Sequence, residues 1–319
     1  MILLNQITEN VLNGVKLTKN DVLPLLEADL CELSDMANKI RFKFCGNKIN
    51  MCSIINGRSG SCSENCKFCA QSKYHNTEIE NYGFRDEKNI VEDCKKHCKA
   101  GIHRYSIVTA GKALGGNDFK KAVSAYNKMR EVCPNINLCA SHGLLTYEQF
   151  LRLRESGVTR YHCNIETSES YFSNICTTHS FADKIETIIS AQRAGLEICS
   201  GGIIGMGESM EDRIDMAFTL ADLGVNSIPI NILNPIKNTP LENAKPLSED
   251  EIIRTIAIFR FINPRADIRI AAGRRVISEN GLRAFLSGAN ATITGDFLTT
   301  TGSTVLQDRK MFIDNGFEL

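Results

Sequence analysis

Eight short apolar, β-branched runs recur at intervals of roughly 30 residues, each followed by a polar or glycine-bearing loop and an amphipathic helix pattern. They begin near Met51 (MCSIIN), Arg104 (RYSIVTAG), Ile136 (INLCASH), Arg160 (RYHCNIET), Glu197 (EICSGGIIG), Ser227 (SIPINIL), Ile268 (IRIAAG) and Ala291 (ATITGDF). Parallel strands need crossover connections, and right-handed strand–helix crossovers repeated eight times close into a (β/α)8 TIM-type barrel. Its working face is the C-terminal end of the strands. An open doubly wound sheet would want a glycine-rich phosphate loop after the first strand, and that place holds three cysteines instead. Thr146 with Gln149 and Ser248 with Glu251 have the capping-box spacing that starts helices. Residues 1–45 read as a helical N-terminal extension, with Thr18 and Asn20 as candidate caps, and 46–319 as one barrel domain.

The loop after the first strand reads SCSENCKFCAQS, with Cys62, Cys66 and Cys69 spaced C-x-x-x-C-x-x-C. The spacing is too tight for mutual disulfides and one ligand short of a closed zinc site. Thiolates are the soft ligands of iron–sulfur clusters, and a 4Fe–4S cube on three cysteines keeps one iron open to a small molecule. The chain has 13 cysteines, an odd number, and none follows Cys199. Met1-Ile2-Leu3-Leu4 carries neither a basic lead nor a small-residue cleavage site, so a reducing, cytoplasmic setting is expected. Basic and acidic residues number 37 each, which offers no electrostatic attraction for nucleic acid or an anionic membrane. A small-molecule partner is expected.

Barrel strands filled only for packing want Val, Ile and Leu, yet Ser106, Cys139, Cys163 or Asn164, Cys199, Asn231 and Arg269 fall on strand after strand. Such convergence indicates a site inside the barrel, and a second metal centre would satisfy those groups. Asn164 and Glu166, two apart, face one side and suit the two hydroxyls of a ribose. Glycines in Gly201-Gly202-Ile203-Ile204-Gly205-Met206-Gly207-Glu208 let backbone approach a flat ligand such as adenine. Cys94, Cys98, Cys31 and Cys133 read as core filler, Cys45, Cys52 and Cys176 stay undecided, and the six histidines read as surface or supporting groups.

The triad with Phe68 before its last cysteine resembles the radical S-adenosylmethionine superfamily. Together with CSGGIIGMGE (199–208), PINILNPIKNTP (229–240), IRIAAGRR (268–275) and GDFLTTTG (295–302), it resembles the biotin synthase family from about Lys48 to Thr301. That resemblance implies a sulfurtransferase that converts dethiobiotin to biotin, the last step of biotin biosynthesis. It implies a 4Fe–4S cluster on Cys62, Cys66 and Cys69 that binds S-adenosyl-L-methionine, with Phe68, Asn164, Glu166, Ile203, Gly205 and Glu208 around that cofactor. Glu166 stands where the family has aspartate. Asn231 would meet the ureido ring of dethiobiotin, and Thr299 and Thr300 its carboxylate. A homodimer and an electron donor such as flavodoxin or ferredoxin are implied as well.

The family's sulfur donor is an auxiliary 2Fe–2S cluster on three cysteines and an arginine, and Cys139, Cys199 and Arg269 match three of these positions. Ser106 stands at the fourth. Either Ser106 ligates as an alkoxide, or a non-standard auxiliary cluster recruits another cysteine among Cys45, Cys52, Cys163 and Cys176; the second reading is favoured, with Cys163 foremost. Other enzymes of the same branch (a hydrogenase-cofactor maturase or a methylornithine-type mutase) and a non-catalytic iron–sulfur carrier are the competing readings.

Overall fold

In the computed structural model, which describes residues 2–295 and 302–319, every expected strand forms. They are β1 (Asn50–Arg58), β2 (Arg104–Thr109), β3 (Asn137–Ser141), β4 (Val158–His162), β5 (Glu197–Cys199), β6 (Gly202–Ile204), β7 (Ser227–Ile232), β8 (Asp267–Ile270) and β9 (Ala291–Ile293). All pair in parallel, each with its sequence neighbour, and β9 returns to β1 through Asn50, Met51 and Cys52. Cys199 of β5 and the β6 segment both pair with β7, so β5 and β6 are two halves of one strand and the barrel is eight-stranded and closed.

That strand breaks at Ser200–Gly201 because its neighbours press on it. A Cβ on Gly201 would lie 1.9 Å from the Pro229 carbonyl oxygen, and one on Gly202 would lie 2.3 Å from that of Glu166. Only glycine tolerates such approach.

The helices start where the sequence says. Thr146 caps Tyr147–Glu155 and exchanges hydrogen bonds with Gln149 at 3.0 and 3.4 Å, and Ser248 and Glu251 do the same at the head of Glu249–Ile262. Three helices, Ile2–Leu12, Lys19–Leu26 and Leu30–Cys45, precede β1. The last of them lies along Glu249–Ile262, and Arg254 of that helix donates to the Leu25 and Ala28 carbonyls at 3.1 and 2.9 Å. Cys94 and Cys133 are buried and Cys98 half-buried, as filler should be. Cys31 is exposed, contrary to the expectation, because the buried stripe of its helix runs through Leu33, Ala37 and Ile40 and leaves Cys31 on another face.

Behind β3, the fully buried His142 pairs through Nδ1 with Thr109 Oγ1 at 3.0 Å and through Nε2 with Tyr126 Oη at 2.9 Å. Burial lowers its pKa to about 3. The folded state therefore resists a proton that the unfolded chain accepts below about pH 6.5, and stability falls as pH drops from there towards 3. In urea titrations, the destabilisation by His142→Gln should shrink by about 1.4 kcal/mol between pH 7.5 and 5.5. A difference independent of pH would show that His142 is not held neutral.

Candidate functional site

A cavity of about 350 Å³ opens inside the barrel, and every strand from β1 to β9 places at least one residue in its wall. The long loop from β1 to the helix Glu87–Lys99 carries the three cysteines beside it, with Phe68 in the wall. The loop is built by its own hydrogen bonds. Cys62 N donates to Gln71 O at 2.9 Å and Lys73 N to Cys62 O at 2.9 Å, while Ser72 Oγ donates to Glu64 O at 2.6 Å. His179 Nδ1 meets Glu64 Oε2 at 2.7 Å and Asn65 Nδ2 donates to Thr177 Oγ1 at 2.7 Å, which ties the loop to the segment after β4.

The triad fits an iron cluster. All three cysteines are free and half-buried. Burial pushes the Cys69 thiol up to about 11, with the Cys62 charge adding to the effect, so the Cys69 sulfur ionises readily only against a cation. Cys176, left undecided in sequence, lies 3.6 Å from the Cys66 sulfur. The Cys66 thiol donates to it, and with His179 and Thr178 this hydrogen bond holds Cys176 down to about 3 while Cys66 itself is raised. The ligand atoms of Cys66, Cys176 and His179 fall within 4.8 Å of one another.

Asn164 and Glu166 extend β4 towards the mouth. Asn164 Nδ2 donates to Glu166 Oε2 at 3.3 Å, and Asn164 Oδ1 accepts from Gly201 N at 3.1 Å. Glu166 adopts a left-handed backbone (φ +73°), held by its N–H to Gly201 O at 3.1 Å and its carbonyl from Ile203 N at 2.9 Å. Asn164, Glu166 and Ile203 line the cavity, whereas Gly205 and Glu208 do not. The Glu208 carboxylate accepts from Gly205 N, Met206 N and Arg213 Nε, each at 2.7 Å, and so it folds the glycine loop from behind. Asn231 is in the wall with its amide clamped between Gly202 O (3.1 Å) and Ala272 N (3.2 Å), and its second N–H and lone pair remain for a ligand. Thr299 and Thr300 lie outside the described residues.

Deeper in the barrel, Ser106, Cys139, Cys199 and Arg269 share the cavity wall. Burial raises the Cys139 thiol against the pull of Arg104, whose Nη1 donates to its sulfur at 3.4 Å. Burial opposes ionisation of Cys199 too, yet the hydrogen bond and charge of His162, with Arg269 and Arg160, bring it to about 6. Ser106 Oγ and Arg160 Nη1 are buried with no hydrogen-bond partner among the described residues. Buried polar atoms left open beside three arginines fit an anionic group held here.

Residues 58–220 match the Radical SAM superfamily and residues 229–318 the Biotin and Thiamin Synthesis associated domain. A protein of Clostridium beijerinckii called biotin synthase is 59% identical over 317 residues, covering 99% of this chain and 100% of the relative. One from Alkaliphilus metalliredigens, of the same name, is 56% identical with 99% of each chain covered. The chain belongs to the biotin synthase family. Its fold is also that of a solved methylornithine synthase, with a TM-score of 0.84 at 20% identity over 98% of this chain and 97% of that one.

Of the four cysteines weighed as alternatives to Ser106, Cys163 faces away from the cavity: it is buried among core residues, its N–H donates to Cys199 O at 3.1 Å, and its neighbours His162 and Asn164 take the inward side. Cys45 is outside the barrel, 3.3 Å from Arg260 Nη1. Cys176 belongs with Cys66. Cys52 of β1 is in the cavity wall. His162, expected to be a surface or supporting group, is in the wall as well, as are Arg104 and Arg160, which sequence reasoning did not single out.

Proposed function

We propose that this chain makes biotin from dethiobiotin inside the barrel cavity. The observation that carries the reading is the convergence on one cavity of the three-cysteine loop, the Asn164–Glu166 pair and the Cys139–Cys199–Arg269 set. Cys62, Cys66 and Cys69 would hold the 4Fe–4S cluster, and Cys139, Cys199 and Arg269 belong to the auxiliary one. With S-adenosylmethionine bound, the first cluster would supply the electron for reductive cleavage of the sulfonium and so the means to take hydrogen from unactivated carbon, and the auxiliary cluster would supply the sulfur.

The protein's part is placement and exclusion of water. Asn164 and Glu166 would take the ribose hydroxyls, Phe68 and Ile203 flank the nucleoside, and Glu208 keeps the glycine loop in shape from outside. Asn231 turns its remaining amide valences to the ureido ring, and Thr299 and Thr300 receive the carboxylate tail. A flavodoxin or ferredoxin would deliver the electron to a homodimer in the cytoplasm. Among the described residues no helix is long and apolar enough to cross a membrane.

Anaerobically reconstituted protein, given a reductant, S-adenosylmethionine and dethiobiotin, should yield methionine, 5′-deoxyadenosine and biotin. Absence of 5′-deoxyadenosine would point to an iron–sulfur carrier. 5′-Deoxyadenosine without biotin would assign another reaction of the superfamily.

A further inference from the structure

Where β2 presents a hydroxyl to the auxiliary site, the adjacent strand presents a thiol. Cys52 and Ser106 both line the cavity. The β1–β2 register sets Ile54 beside Ser106 and Cys52 beside Arg104, so Cys52 lies one strand over and one inward-facing step deeper. Arg269 Nη1 donates to the Cys52 sulfur at 3.2 Å, while Ser106 Oγ has no partner among the described residues.

Cys52, Cys139 and Cys199 line one cavity wall together with Arg104, Arg160 and Arg269. Arg160 and Arg104 share one carboxylate, Glu197, at 2.8 and 3.6 Å, Arg269 has Asp267 at 3.8 Å, and Arg160 still keeps Nη1 open. Three guanidinium groups, two of them buried, against two carboxylates leave a surplus of positive charge beside the three thiols, which matches an anionic iron–sulfide–thiolate group and is poorly matched to a neutral hydroxyl. Thiolate is also the softer and more acidic ligand.

We infer that Cys52 holds the auxiliary cluster together with Cys139 and Cys199, and that Ser106 has left the ligand set to serve as cavity wall. On binding, the Cys52 S–H bond breaks, its proton goes to solvent and an S–Fe bond forms; no electron moves. The inference rests on the biotin synthase reading of the cavity.

The test reconstitutes four proteins anaerobically with iron and sulfide: the unaltered chain, Cys52→Ser, Ser106→Ala, and the exchange Cys52→Ser/Ser106→Cys. Iron and acid-labile sulfide per chain and Mössbauer spectra report the auxiliary cluster, and 5′-deoxyadenosine release reports an intact cube and fold. Cys52→Ser should lose auxiliary iron by at least about tenfold, the lower end for disturbing even a supporting group of a metal site. Ser106→Ala should keep it, and the exchange should restore it. Cys52→Ala serves in the same comparison if the serine variant does not fold. Retention of auxiliary iron by either Cys52 variant, or its loss from Ser106→Ala, overturns the inference. An unaltered chain with no iron beyond that of the cube overturns the reading of the cavity itself.

Discussion

Cys69→Ala should abolish S-adenosylmethionine cleavage. Loss of a supporting group costs a metal site roughly 10–100-fold, so loss of a ligand should cost 5′-deoxyadenosine formation more than about 100-fold. The 4Fe–4S electron paramagnetic resonance signal of the reduced protein should disappear with it. Cys69 is the most telling of the triad because its backbone is anchored independently of its sulfur. Its N–H donates to Cys66 O at 3.0 Å, and its carbonyl accepts from Ser72 N at 3.3 Å and His75 Nδ1 at 2.9 Å. Trimming the side chain leaves these bonds intact, so the loss reports a missing ligand and not a collapsed loop. Cys94→Ala is the control. That thiol is buried in the helix Glu87–Lys99 away from the cavity, and its removal should cost stability on the order of 1 kcal/mol with iron content unchanged. Equal iron in Cys69→Ala and Cys94→Ala would rule out the triad as the cluster's seat.

The barrel was legible because its signals are local. The strands are short apolar runs and most helices start at a Ser, Thr or Asp cap, and neither signal depends on distant contacts. Much of the cavity wall is legible by the same alternation. Asn164 and Glu166 share one side of the strand that continues β4; further back along that side come His162 and Arg160, and all four line the cavity. The rule excludes Cys163, which takes the opposite side. On β2 the rule joins Arg104 and Val108 to Ser106, and on β3 it joins Ser141 to Cys139. What alternation cannot supply is which strands bring their inward residues to the same depth. Cys52 meets Arg269 only because β9 and β1 close the barrel across more than 200 residues of sequence, and Cys176 meets Cys66 only through the packing of two loops.

Gly201→Ala should damage the cofactor side and the substrate side together. The added Cβ would lie 1.9 Å from the Pro229 carbonyl oxygen, and since that atom is backbone in β7, the strands must part. Overpacking of this kind costs about 3 kcal/mol, which a urea denaturation midpoint would register. The functional damage follows from the hydrogen bonds that cross the break between β5 and β6. Gly201 N holds Asn164 Oδ1 at 3.1 Å, Gly201 O holds the Glu166 N–H at 3.1 Å, and Gly202 O holds Asn231 Nδ2 at 3.1 Å. Moving this turn therefore shifts Asn164 and Glu166, proposed to hold the ribose, and Asn231, proposed to meet the ureido ring, in one displacement. Equilibrium dialysis should show weakened binding of both S-adenosylmethionine and dethiobiotin, with the iron of the cube retained, since Cys62, Cys66 and Cys69 are on a separate loop. Gly83→Ala, which meets nothing within 4 Å, should leave stability and both affinities unchanged. If Gly201→Ala instead weakens one ligand alone, the turn at β5–β6 does not couple the two sides, and Asn231 is positioned by Ala272 without help from Gly202.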